Sequence, residues 1–116
     1  MPRKRILSFK YAGSGIWTAL KTEPNLKFHF FSAILVIILG FHLKISRNDW
    51  MILFILIGVV ISLELTNTAI ETVVNSFTED IHPAAKRAKD VAAGAVLFTA
   101  AMAIIVGILI FYPYFS

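Results

Sequence analysis

Two glutamates interrupt a long apolar stretch, in the run Glu64-Leu65-Thr66-Asn67-Thr68-Ala69-Ile70-Glu71. An ionisable side chain at the centre of a bilayer helix costs roughly 2.5–3.5 kcal/mol for an Asp, even on lenient insertion scales. Two such groups seven residues apart, with an amide between them, point to a use. At 100° per residue, Glu64, Asn67, Glu71 and Asn75 fall within about 80° of one another on one helix face. Measured from Trp50, Glu64 lies ~21 Å along the axis and Glu71 ~31 Å. Glu64 is therefore the deep group and Glu71 the one near the surface. A stripe leading from water into lipid can bring a water-soluble reagent to a lipid head group.

Each group has a chemical reading and a plainer one. A carboxyl withdrawn from water, Glu64, is suited to act as a general base; it could also serve only as a hydrogen-bonding link to another helix. Glu71 could hold a divalent metal among oxygen ligands, or be an interfacial carboxylate that reaches for water. Asn67 could orient either carboxyl or simply bond a neighbouring helix. Lys89 and Asp90 fall at the same level as Glu71, together with the Asp80-Ile81-His82-Pro83 loop. Lys89 could meet a phosphate as a point charge, and Asp90 could accept hydrogen bonds or face a metal. Glu23, the one acid before the first apolar block, is a candidate second carboxylate for a metal, or simply a solvated surface group. The three histidines have no metal-ligand spacing, and His29 and His42 read as interfacial. Neither a Walker A pattern nor G-x-G-x-x-G occurs, so any use of ATP dispenses with a standard nucleotide fold. Phosphoryl transfer needs mainly positioning, a magnesium clamp and a base for the acceptor hydroxyl. Carboxylates, a lysine and an amide at one membrane depth can supply these.

The elements that must position these groups are membrane helices. Of 116 residues, 58% are hydrophobic, against about 45–50% in soluble domains. The excess lies in three blocks, giving spans near residues 28–45, 50–77 and 83–111. Residues 4–22 carry Arg and Lys beside Ile, Phe and Trp, the pattern of a basic amphipathic helix on an anionic membrane surface. Gly13 and Gly15 weaken the expectation of an unbroken helix there. The reading is an all-α membrane protein, three transmembrane helices preceded by an N-terminal amphipathic surface helix, forming one domain over residues 1–116. Pro83 fits the first turn of the last helix, with Asp80 or His82 near the cap. Ala85, Ala88, Ala92, Ala95 and Thr99 form a small-residue seam that permits close helix approach. With no cysteine in the chain, disulfides and thiolate metal sites are excluded. No apolar segment directly follows the basic start, so no cleavable leader is expected. Nine of the 11 Lys and Arg precede the first span or lie between the second and third. The N-terminus and second loop are thus expected in the cytoplasm and the C-terminus outside. The net charge of +4 reads as topology, with no nucleic-acid partner.

The run from Glu64 through Asn67 and Glu71 to Val74, and His82-Pro-Ala-Ala-Lys-Arg-Ala-Lys89-Asp90-Val-Ala-Ala-Gly-Ala-Val96, resemble the prokaryotic diacylglycerol kinase and undecaprenol kinase family. Ser8-Phe9-Lys10-Tyr11-Ala12 and the segment from Lys21 through Glu23 to His29 fit as well. The resemblance implies a bacterial inner-membrane homotrimer that moves the γ-phosphate of ATP to a membrane lipid alcohol with Mg2+. It implies Glu64 as catalytic base, Glu23 and Glu71 as metal ligands, and Asn67 as active-site support. Tyr11, Glu23, Glu71, His82, Lys89 and Asp90 match positions at the nucleotide, and either Lys4 or Arg5 matches a basic ATP contact. The His82 segment resembles the undecaprenol kinase branch more than the enterobacterial diacylglycerol kinase branch, although residue chemistry does not separate the two hydroxyls. Where the family usually has Asp, this chain has Asn75. A second class of function, a small proton- or ion-conducting protein using the same stripe, leaves Glu23, Lys89 and Asp90 without a task. A purely structural subunit leaves both α-helical glutamates unexplained.

Overall fold

The computed structural model describes residues 2–77 and 82–115, with side chains from Lys4 onward. Helix α1 spans Pro2–Thr22, α2 Pro24–Leu43, α3 Arg47–Phe77 and α4 Pro83–Phe111, and a 3-10 turn over Tyr112–Phe115 follows α4. Helices α2, α3 and α4 are long and apolar enough to cross a membrane. No strand occurs among the described residues.

Helix α1 runs unbroken through Gly13 and Gly15. From Lys4 to Thr18 its side chains are exposed, and among the described ones only Ala19 is buried. A single residue, Glu23, separates it from α2. Its φ of −105° and ψ of 110° are extended, as expected before Pro24, whose ring disfavours the helical conformation in the preceding residue. The Glu23 N–H closes α1 on the Ala19 carbonyl at 2.8 Å, and the Glu23 carbonyl accepts the Lys27 N–H at 3.1 Å. Proline supplies a first helical position that has no N–H to satisfy. That is why α2 begins four residues ahead of the strongly apolar run.

The turn from α2 to α3 is tightly built. Lys44 takes the left-handed conformation, φ 54° and ψ 53°. The Lys44 N–H reaches the Phe41 carbonyl at 3.4 Å and the Ile45 N–H the Gly40 carbonyl at 3.2 Å, the paired bonds that close a helix on an αL residue. Ser46 then caps α3, its Oγ accepting the Asp49 N–H at 3.2 Å. The chain end locks onto this turn. The Tyr114 hydroxyl donates to Asp49 Oδ2 at 2.6 Å and accepts the Ser46 N–H at 3.0 Å. Beneath it Ile45, Leu53, Ile110 and Phe111 form a buried cluster.

Trp50 does not only mark an interface. Its ring packs on α2 against Gly40, between Phe41 at 4.8 Å and Phe54 at 5.4 Å. The α4 seam is divided: Ala85, Ala92 and Thr99 are half-buried, whereas Ala88 and Ala95 face outward.

A methyl group at Gly40 would lie 2.7 Å from Trp50 Cη2 and 3.1 Å from Ile45 Cδ1. Phe41 and Phe54 leave the indole little room to yield. Gly40→Ala is expected to destabilise the fold by about 1–3 kcal/mol, the usual cost of overpacking. Thermal unfolding in detergent checks this, and an unchanged Tm would show that the indole can move.

Candidate active site

The inner half of α3 carries three threonines whose hydroxyls are satisfied within the helix. Thr66 Oγ1 donates to the Ser62 carbonyl at 2.8 Å, Thr68 to that of Glu64 at 3.0 Å, and Thr72 to that of Thr68 at 2.8 Å. Such back-bonds keep hydroxyls occupied on their own helix. Glu64 and Asn67 differ: they are the buried polar residues among those described, 3% and 7% exposed. Their functional groups must therefore find partners elsewhere.

Asn67 Nδ2 donates to Glu71 Oε1 at 3.4 Å, while Asn67 Oδ1 is buried with no partner among the described residues. Glu64 meets α2: its Oε2 lies 3.7 Å from His29 Nε2. This corrects the reading of His29 as interfacial. The ring is half-buried and faces the deep glutamate, because α2 crosses α3 at this height. Only His42, exposed near the end of α2, fits the interfacial description.

Antiparallel packing extends this contact into two levels. Six residues before His29, ~9 Å along α2, stands Glu23. Seven residues after Glu64, ~10.5 Å along α3, stands Glu71. Both are half-buried, and both lie close enough to act electrostatically on Glu64, as His29 does. Glu64 and His29 form the deep level, and Glu23 and Glu71 the shallow one. The shallow carboxylates and the unpartnered Asn67 oxygen are hard donors of the kind magnesium takes. No three His, Asp or Glu among the described residues are grouped closely enough to hold a metal alone. Magnesium characteristically uses one or two carboxylates and completes its shell with phosphates and water, so the donor set fits.

The surface residues form separate local pairs. Lys89 Nζ donates to Asn75 Oδ1 at 3.0 Å, joining the start of α4 to the end of α3. Thus the neutral Asn75 holds the lysine without cancelling its charge. Asp90 is paired with Lys86 at 2.6 Å, both well exposed. His82 caps α4, its Nδ1 accepting the Ala84 N–H at 3.2 Å. Asp80, the other expected cap, lies outside the described residues. Tyr11 stands 68% exposed on α1, and Lys4 and Arg5 are exposed on its first turns. The structure therefore brings Glu23, Glu64, Asn67 and Glu71 toward one another and links Lys89 to the same stripe through Asn75, while the polar bonds of His82 and Asp90 are local to α4 and Tyr11 is exposed on α1.

Beside the deep level, a groove of about 510 Å³ runs between α2, α3 and α4, lined by Phe28, His29, Leu53, Val60, Ile104 and Phe111 among others. His29 belongs both to this apolar groove and to the Glu64 contact. The sequence signal that would have found it is the depth match: two antiparallel helices with a surface acid on each place His29 opposite Glu64.

Residues 10–111 match the prokaryotic diacylglycerol kinase family. The chain is 52% identical to an undecaprenol kinase of Bacillus subtilis, over 91% of this chain and 86% of the relative. It is 40% identical to a diacylglycerol kinase of Synechocystis sp., over 88% of this chain and 59% of that protein. It is 33% identical to a diacylglycerol kinase of Haemophilus influenzae, over 91% and 92% of the two.

Asn75→Asp would set a carboxylate against Lys89 and turn a neutral hydrogen bond into an ion pair. The Tm is expected to rise at low ionic strength, with the gain gone near 1 M salt, where the Debye length is about 3 Å. A salt-independent change would speak against direct contact.

Proposed function

The chain belongs to the prokaryotic diacylglycerol kinase family of membrane lipid kinases, and from that premise we propose that it moves the γ-phosphate of ATP to the hydroxyl of undecaprenol. The observation that carries this reading is the position of Glu64, a buried carboxyl on a polar stripe whose neighbour His29 lines an apolar groove. The groove suits the apolar chain of the acceptor, with its hydroxyl at the His29 end. The 52% identity to an undecaprenol kinase favours the polyprenol. Diacylglycerol is the second acceptor to consider, because the relatives at 40% and 33% identity are named for it.

Glu64 takes the proton from the acceptor hydroxyl as its oxygen bonds to the γ-phosphorus and the bond to the β–γ bridging oxygen breaks, releasing ADP. Asn67 holds Glu71 through its amide N–H. Glu23 and Glu71 would hold magnesium. When bound, the ion supplies positive charge against the charge developing on the transferring phosphoryl group. Lys89 contacts a phosphate, and its neutral tether to Asn75 leaves its charge available. Tyr11, His82, Asp90 and one of Lys4 and Arg5 complete the nucleotide's surroundings; His82 caps α4 with Nδ1 and has Nε2 left for this. The exposed apolar surface of one chain fits assembly as a homotrimer in a bacterial inner membrane. In that setting the α1 and α4 starts face the cytoplasm and the chain end faces outside.

Transfer of radiolabel from ATP, with undecaprenol and diacylglycerol offered side by side in mixed micelles, tests the reading; label in neither lipid would overturn it. Glu64→Gln is expected to lower kcat by roughly 10²–10⁴-fold, the range for a lost general base, while the protein stays folded. A Glu64→Gln enzyme with full activity would remove the base assignment. Glu71→Ala should weaken magnesium-dependent ATP binding at least tenfold, about 1.4 kcal/mol, and an unchanged titration would remove Glu71 from the metal.

A further inference from the structure

We infer that His29 is a positioning residue for Glu64: it fixes one carboxylate oxygen so that the other meets the acceptor hydroxyl. This deepens the proposed kinase reaction and rests on Glu64 being its base. The two side chains, 16% and 4% exposed, approach to 3.7 Å between Nε2 and Oε2. The approach is longer than a hydrogen bond, of the kind that tightens when substrate binds, and it leaves Oε1 for the acceptor. The titratable groups that face Glu64 are His29, Glu71 and Glu23; the two acids repel its carboxylate, and His29 alone of the three offers an N–H. The Phe28 ring meets the imidazole edge-on at 5.8 Å and 70°, and both rings line the groove. His29 thus stands where an apolar acceptor chain entering along the groove would end. Without that donor the carboxylate's orientation about its last torsion is set by packing alone, and misplacement by about 1 Å can cost 10²-fold in rate. A neutral or protonated imidazole serves equally, provided Nε2 carries hydrogen.

The test uses the full chain in mixed micelles with ATP and undecaprenol. His29→Phe keeps an apolar ring and removes the donor; His29→Met does the same should the Phe variant fold poorly. His29→Gln keeps an N–H. The expected result for Phe or Met is a kcat roughly 10- to 100-fold lower with the ATP KM within about twofold, and recovery of most of that loss with Gln. In a Glu64→Gln background, His29→Phe should have no further effect. The inference is overturned if His29→Phe keeps full kcat, if Gln and Phe lose equally, if the ATP KM rises in step, or if the two losses multiply. A fully active Glu64→Gln enzyme would fell the base reading itself. An inactive Glu64→Gln beside a fully active His29→Phe would fell only the positioning role of His29.

Discussion

A carboxyl group enclosed by apolar packing is the constraint on which this structure depends. Removing a charge from water costs several kcal/mol unless partners make it good. Around Glu64 the chain meets that demand with few groups. The neighbouring threonines bond back to α3's own carbonyls and make no claim on the space beside it. Asn67 turns its N–H to Glu71 rather than to Glu64. The remaining approach, from α2, is taken by His29. The polar stripe is therefore graded: deep carboxyl, amide, shallow carboxylate, and at the end of α3 an asparagine holding a lysine.

The accuracy of that arrangement is set at the other end of the bundle. The α2–α3 turn is held by the left-handed Lys44, by the Ser46 cap and by Trp50 seated on Gly40. Tyr114 then ties the end of α4 to the same turn through Asp49 and Ser46. Aromatic packing and hydrogen bonds concentrate there, whereas at the opposite end α3 and α4 are joined by the exposed Lys89–Asn75 hydrogen bond, and the Lys86–Asp90 pair stays within α4. Exposed ion pairs contribute about 0–1 kcal/mol each, so the α1 end is held mainly by the buried Ala19 and Leu26. Division of labour between a firm end and a reactive end matches the general placement of sites in regions of lower local stability.

Much of this was legible in the sequence for physical reasons. The span lengths follow from bilayer thickness, and Pro83 with His82 signals the start of α4 as a proline should. The acid stripe was visible because charge in an apolar helix is rare. What stayed hidden required the relation between two helices. His29 looks interfacial when α2 is read alone, since it lies near its start. Only the antiparallel register reveals it as the partner of a residue 35 positions later. Trp50 likewise reads as an interface marker until Gly40 is seen to make room for it. Asn75, which as a lone letter looks like a lost charge, proves to hold Lys89, fourteen residues on. The glycines of α1 misled in the other direction, because a helix tolerates them at a cost of only about 1 kcal/mol each.

The short turn has one more consequence. Because α2 and α3 are joined rigidly, the residues from 30 to 63 act as a ruler between His29 and Glu64. Adding or deleting one residue within either helical arm turns one partner by about 100° and shifts it ~1.5 Å, which separates the pair without disturbing the apolar character of either helix. Hydropathy would be blind to such an event. Along this interval the fold fixes a count as well as a composition, so the chain should tolerate an insertion far less readily than the exchange of one aliphatic residue for another.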